Sequence, residues 1–413
     1  MNATHEVDWD FRAANTKEYT HCFHTYPARM IPQIARELLK RYGTEGEWLL
    51  DPYCGTGTSL VEASLFGMHS VGCDINPLAR LIARVKTTPI PPALLDSRLD
   101  RLNGTLLKVG FSGDVPESPV PDILNLEYWF SGDAIRRLAF LRAEICAVED
   151  ESIRDFFWVA FSETVRECSY TRTGEFKLHR IPAPKMETFN PDVFGVFRKK
   201  LYRNRQGMSA YLQKRKRVET HVSSANTAHG DLPAPHPPNG YALALTSPPY
   251  GDSQTTVAYG QFSRLASEWI GYAEARSVDK MSMGGRVGEA AHDPDSPVAS
   301  AVERIRAQDE KRGREASAFY ADLERSAAAV AKALSPVSTA CYVVGNRRVK
   351  GELLPTDEFV VSAFERHGFA HRETIVRNIP NKRMPKKNSP ANIAGKTAAT
   401  MHEENIVVCQ RTG

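Results

Sequence analysis

Glu47-Trp48-Leu49-Leu50-Asp51-Pro52-Tyr53-Cys54-Gly55-Thr56-Gly57-Thr58 runs from an apolar strand into a glycine-rich turn. Ser59-Leu60-Val61-Glu62-Ala63-Ser64-Leu65-Phe66 then reads as a helix. Gly55 and Gly57 allow tight backbone geometry and close approach of a ligand. The N-terminus of the helix aims unpaired N–H groups at the same spot. A dinucleotide fold would add a third glycine, and none follows. Instead an acid, Asp51, precedes the turn, suited to a cationic or amino-bearing ligand. A second strand, His69-Ser70-Val71-Gly72-Cys73-Asp74-Ile75-Asn76, ends in Asp74. An acid there can accept both hydroxyls of a ribose. These segments predict a βαβ unit of an α/β fold.

A second stretch lies far along the chain. Tyr241-Ala242-Leu243-Ala244-Leu245-Thr246 has the length and apolarity of a buried strand. Ser247-Pro248-Pro249-Tyr250 follows. Neither proline has an N–H to donate, so the ladder stops, and both fix φ, so the turn is stiff. The Ser247 hydroxyl, free carbonyls and the Tyr250 ring are thereby held at a strand's carboxyl end, where open α/β sheets bind ligands. Acceptors beside a flat aromatic face suit a planar group with an exocyclic amine, such as a nucleobase.

The composition, 42% hydrophobic and 25% charged over 413 residues, predicts a soluble globular chain with room for an insertion. A net charge of +4 permits a nucleic-acid partner without demanding one. The seven cysteines form no C-x-x-C pair, which predicts reduced thiols and no metal site. The first residues lack a signal-peptide core, and no stretch approaches a membrane span.

Taken in order, residues 1–20 are polar and read as a loosely packed arm. Tyr26-Pro27 precedes a helical pattern from Ile31. A helix is predicted over 77–86. Residues 91–219 show helical patterns over Leu94–Leu107, Ala134–Val148, Ile153–Ser169 and 191–217, without alternating strands. That predicts a helical insertion, with 1–90 and 220–413 as the core. Within it Arg198, Lys199, Lys200, Arg203, Arg205, Lys214, Arg215, Lys216 and Arg217 occur with no acid between the first and the last. Such a run predicts phosphate contact. Thr220–Ser224 reads as a third strand, 301–334 as one long helix, and Cys341–Asn346 as a fifth strand. Arg372–Arg377 and Asn405–Cys409 read as a closing antiparallel pair. Lys382 and Arg383 lie in their connection and predict a further DNA-backbone contact.

The two motifs together resemble those of the DNA amino-methyltransferases. The order of lid, cofactor loop, ribose acid and tetrapeptide is that of the unpermuted members, and the likeness covers 21–86 and 220–409. It implies a Rossmann-like methyltransferase sheet, mostly parallel with an antiparallel last strand. It implies S-adenosylmethionine as cofactor. Tyr26 and Pro27 would form a lid at its methionine end, and Asp51, Pro52, Cys54, Gly55, Gly57 and Thr58 its loop. Asp74, Ile75 and Asn76 would meet the ribose, and Asp231 the adenine amino group. In this family Ser at the first tetrapeptide position usually marks cytosine-N4 enzymes, and Asp or Asn adenine-N6 enzymes. The resemblance thus implies N4 methylation of a cytosine flipped out of double-stranded DNA, at a specific sequence. Ser247 Oγ and the Pro248 carbonyl would accept the amine hydrogens, Pro249 would stiffen the turn, and Tyr250 would stack on the base. The cytosine-C5 chemistry needs a Pro-Cys nucleophile, and none occurs. Adenine-N6 methylation, a tRNA guanine-N2 methyltransferase and a non-catalytic nucleic-acid-binding protein remain as alternatives. The intact Asp51, Gly55, Gly57, Asp74 and Ser247 speak against the last. The implied setting is the bacterial or archaeal cytoplasm, on nucleoid DNA, in a restriction-modification or related defence system whose endonuclease acts separately.

Overall fold

The computed structural model of the chain describes residues 7–172, 174–251, 256–285, 292–379, 387–388, 398–399 and 402–412. Five parallel strands form the centre: β1 (Trp48–Asp51), β2 (His69–Cys73), β3 (Thr220–Ser223), β4 (Tyr241–Thr246) and β5 (Leu334–Val344). β6 (Phe369–Asn378) and β7 (Glu403–Arg411) complete the sheet, with β7 antiparallel to both β5 and β6. The strand order is β3-β2-β1-β4-β5-β7-β6. The chain therefore winds outward in one direction from β1 and in the other from β4. The crevice between these two strands is where such a sheet takes its ligand.

Both faces of the sheet are covered, and this explains the unbroken apolar runs of its strands. Successive side chains point to opposite faces. Leu49, Leu243 and Leu245 pack with α1 (Pro32–Tyr42) and α2 (Thr58–Phe66). Leu50 and Ala244 belong to the opposite cluster. α3 (Pro77–Thr87) follows β2. Residues 91–219 then contribute α4 (Pro92–Ser112), α5 (Gly132–Cys146), α6 (Glu151–Glu167) and α7 (Val193–Leu212). Their buried residues join one continuous cluster with Leu78, Ile82 and Val85 of α3, with Phe23 and Tyr26, and with Phe262 and Trp269 of α8 (Tyr259–Ile270). These helices thus share their core with the helix layer beside the site.

Two expectations give way. The N-terminal segment is docked at Trp9 and Asp10. Arg377 Nε donates to the Trp9 carbonyl at 2.8 Å, and the Asn378 amide donates to Asp10 Oδ1 at 2.7 Å. The Arg41 guanidinium lies 4.7 Å above the Trp9 ring. The long helix expected over 301–334 is two, α9 (Ala299–Gln308) and α10 (Glu310–Ala333). Asp309 between them is extended (φ −158°, ψ 99°), and its side chain caps α10 by accepting from the Arg312 amide. A short polar acceptor competes with the helix it interrupts and serves better as a cap. α11 (Thr356–Glu365) leads into β6. Among the described residues no helix is long and apolar enough to cross a membrane.

Candidate cofactor and catalytic site

The carboxyl ends of β1, β2 and β4 open into one cleft of about 940 Å³, counting the space open to solvent. Tyr26, Pro27, Asp51, Pro52, Cys54, Gly55, Thr58, Asp74, Ile75, Asn76, Ser247 and Pro249 line it. Sequence-distant segments therefore converge on one site.

Asp51 organises the junction. Its Oδ1 accepts from Thr246 Oγ1 at 2.6 Å and from the Tyr53 amide at 3.1 Å, and its Oδ2 accepts from Ser59 Oγ. One carboxylate thus fixes the ends of β1 and β4 and the first turn of α2. Burial pushes Asp51 up to about 6, against these hydrogen bonds. Asp74 accepts from the amides of Gly55 at 3.1 Å and Asn76 at 2.7 Å. Burial pushes it, too, up to about 6. Asn76 caps α3 through Oδ1, while its Nδ2 donates to the Tyr26 hydroxyl at 2.8 Å and to Ser263 Oγ at 3.1 Å. The Tyr26 ring is stacked on Tyr259 at 6.0 Å. The Tyr26-Pro27 segment is therefore held over the cleft by α3 and α8 together.

The two turn glycines have different duties. Gly55 lies at φ 49° on the cleft, and a Cβ there would meet nothing within 4 Å. Gly57 lies at φ 73°, and its Cβ would stand 3.0 Å from the Ala83 Cβ on α3. Gly57 is thus needed for the close packing of two helices; it is absent from the cleft wall, contrary to its expected place beside the ligand. Beneath the turn, Lys86 is 1% exposed and donates to the Thr56 carbonyl at 2.8 Å.

Three more expected residues stand away from the wall. Asp231 is exposed, with its amide donating to the Asn226 carbonyl at 3.3 Å. Asn226 and Thr227 line the cleft in its stead, because the chain turns back into a short 3-10 helix directly after β3. Pro248 is buried behind the turn. The Tyr250 hydroxyl accepts from Ser247 Oγ at 3.4 Å and donates to Glu404 Oε1 at 2.9 Å.

A family model described as DNA methylase matches residues 3–84. The Type II methyltransferase M.MvaI of Kocuria varians is 36% identical, over 96% of this chain and 92% of that one. The chain belongs to the DNA amino-methyltransferase family. Shorter likenesses reach the Type II methyltransferase M.MjaII of Methanocaldococcus jannaschii, 41% identical over 20% of this chain and 16% of that one. A tRNA (guanine(10)-N2)-dimethyltransferase of Methanothermobacter thermautotrophicus is 46% identical over 12% of this chain and 16% of that one.

This amino-methyltransferase acts on DNA with S-adenosylmethionine as cofactor. The cleft's chemistry fits that group. Two carboxylates on the wall, the buried Asp51 and the half-buried Asp74, suit a cofactor that carries an ammonium, a sulfonium and a ribose diol. Thr56, also on the wall, has a buried Oγ1 with no partner among the described residues. The wall also includes residues that sequence reasoning missed. Asn226 follows an ordinary strand end, and Tyr259, Val278 and Met281 come from segments with no motif.

The amino-methyltransferase's basic run is less uniform in space than in sequence. Arg203 meets Glu163 at 2.6 Å, Lys200 meets Glu167 at 2.5 Å, and Arg205 meets Asp96 at 2.7 Å. Arg198 donates to Asn103, and Arg215 to the Val218 carbonyl. Acids on α4 and α6, far off in sequence, oppose these cations. Lys199, Lys214, Lys216 and Arg217 are exposed and have no ion pair among the described residues. Tyr211, within the run, is buried with its hydroxyl 2.6 Å from Ser64 Oγ. Lys382 and Arg383 lie outside the described residues.

Proposed function

We infer that the protein methylates the exocyclic N4 amine of a cytosine flipped out of duplex DNA at a specific sequence. The observation that carries this reading is Ser247 on the wall of the cleft that also holds Asp51, Gly55 and Asp74. Bound S-adenosylmethionine supplies an electrophilic methyl group. Asp51, Gly55, Thr56 and Thr58 would hold its amino-acid end, and Asp74 and Ile75 its ribose. Asn226 replaces Asp231 as the residue proposed to meet its adenine. Tyr26, Pro27 and Asn76 would close the lid and exclude water.

At the target, Ser247 Oγ and the Pro248 carbonyl would each accept one amine hydrogen. This turns the nitrogen lone pair toward the cleft, and positioning of this kind is a large catalytic term. The Tyr250 ring would retain the flipped base by stacking. Lys199, Lys214, Lys216 and Arg217 are the members of the basic run we assign to DNA phosphates. Lys382 and Arg383 stay as proposed backbone contacts. A cognate endonuclease acting as a separate chain, in a bacterial or archaeal cytoplasm, completes the reading.

Ser247→Ala tests the site. It removes one neutral hydrogen bond, worth about 0.5–1.5 kcal/mol in binding, so DNA affinity should barely move. The single-turnover rate should fall further, because misorientation costs more in the transition state than in the ground state. A wild-type rate would remove Ser247 as the amine acceptor.

A further inference from the structure

Glu404 lies on β7, opposite Arg377 on β6. One of its oxygens meets the Arg377 guanidinium, and the other accepts from the Tyr250 hydroxyl at 2.9 Å. Arg377 is 4% exposed and is itself anchored to the carbonyls of Trp9 and Asp10. The Tyr250 hydroxyl is 3.4 Å from Ser247 Oγ. A chain of polar contacts therefore leads from the docked N-terminal segment, through the edge of the sheet, to the cleft.

The direction of each bond in this chain is dictated by its far end. An ionised carboxylate only accepts, so the phenol must give its single proton to Glu404. Burial and the Glu404 charge both push the Tyr250 phenol well above its ordinary range, so it stays a donor. Having spent that proton, the phenol can only accept from Ser247. The Ser247 proton then points away from the cleft, and its lone pairs face inward. A hydroxyl left to itself rotates to suit either role.

We propose that Glu404 is a positioning residue that fixes, through Tyr250, the polarity of the Ser247 hydroxyl, making it an obligate acceptor for the amine of the target base. This rests on the reading of Ser247 as that acceptor. It also assigns a duty to the phenol oxygen, which stacking alone does not need.

Glu404→Gln tests the idea with almost no change in size. Arg377 can only donate, so it should keep the amide oxygen and turn the amide NH2 toward Tyr250. The phenol would then accept from Gln and donate to Ser247, and the Ser247 proton would turn into the cleft. The single-turnover methylation rate should drop by about tenfold or more, with cofactor affinity unchanged. Tyr250→Phe cuts the relay and frees the serine to rotate, so its loss should be smaller, roughly two- to tenfold. The decisive variant combines the two. With the phenol gone, Glu404→Gln should have no further effect, so the double variant should match Tyr250→Phe and be faster than Glu404→Gln alone. A double variant as slow as Glu404→Gln, or a wild-type rate in either single variant, would overturn the inference. Ser247→Ala run in parallel separates the two levels. If it is slow while Glu404→Gln is at the wild-type rate, only the Glu404 assignment fails. If it is itself at the wild-type rate, the reading of Ser247 fails.

Discussion

Thr246 Oγ1 donates to Asp51 Oδ1 at 2.6 Å, tying the last residue of β4 to the last residue of β1. Residues 195 positions apart are thereby locked at the point where the sheet changes winding direction. The tie places the start of Ser247–Tyr250 at a fixed height relative to the Gly55 turn. Asp51 is thus as much the spacer between the two halves of the site as a ligand-facing acid. Asp51→Ala should abolish binding of S-adenosylmethionine by calorimetry. Thr246→Val, which keeps the shape and loses the donor, should cost about 1.5–3 kcal/mol of stability because the lost bond is to a carboxylate. A melting temperature unchanged in Thr246→Val would show that the tie contributes nothing.

The two turn glycines should separate in their effects. Gly57→Ala meets both an unfavourable φ and the Ala83 methyl at 3.0 Å, so it should lower the melting temperature most. Gly55→Ala meets only the φ penalty, roughly 1–2 kcal/mol, but places a methyl on the cleft wall. It should weaken cofactor binding more than Gly57→Ala does, relative to its effect on stability. Equal ratios of the two losses would contradict this division.

Cofactor affinity should depend on pH with a defined sign. Asp51 and Asp74 are both pushed up to about 6 by burial. Below that pH the empty site carries protons that it must release to hold an ammonium and a ribose diol. Affinity should be flat from pH 8 to 7 and weaken as pH falls through about 6, by up to about tenfold per pH unit for each proton released. Calorimetry in buffers of different ionisation enthalpy should detect that release. Affinity constant from pH 8 to 5 would exclude it.

The basic run should divide into two groups. Arg203 pairs with Glu163, whose side chain is 3% exposed and also accepts from the Thr25 amide at 2.8 Å. Arg203→Gln leaves the buried Glu163 with Lys200, 3.8 Å away, as its remaining ion partner and should destabilise the fold by about 1–3 kcal/mol. Replacing Lys214, Lys216 and Arg217 with Gln should leave stability alone and weaken DNA binding for all sequences. The salt dependence should flatten by up to about 0.9 in slope per lost phosphate contact. An unchanged slope would return these residues to a solvated face.

These divisions mark how far the sequence could be read. The β1 turn and α2 are local, so the apolar run, the two glycines and the helix pattern sufficed. The apolar strands were legible because both faces of the sheet are covered. Pairings across long separations were not. Nothing near Arg205 in sequence announces Asp96 on α4, and nothing near Tyr250 announces Glu404 on the last strand. Asp231 looked like an acid at a strand end, yet the 3-10 turn at Thr227–His229 carries it out and leaves Asn226 on the wall. The break at Asp309 was hidden because helical periodicity continues on both sides of it.

The Ser247 hydroxyl and the turn behind it are proposed to select the base that is methylated. The direct measurement is mass spectrometry of nucleosides from mixed-sequence duplex DNA after reaction with S-adenosylmethionine. The site predicts N4-methylcytosine as the main product, formed more slowly by Ser247→Ala. N6-methyladenine as the main product would contradict it.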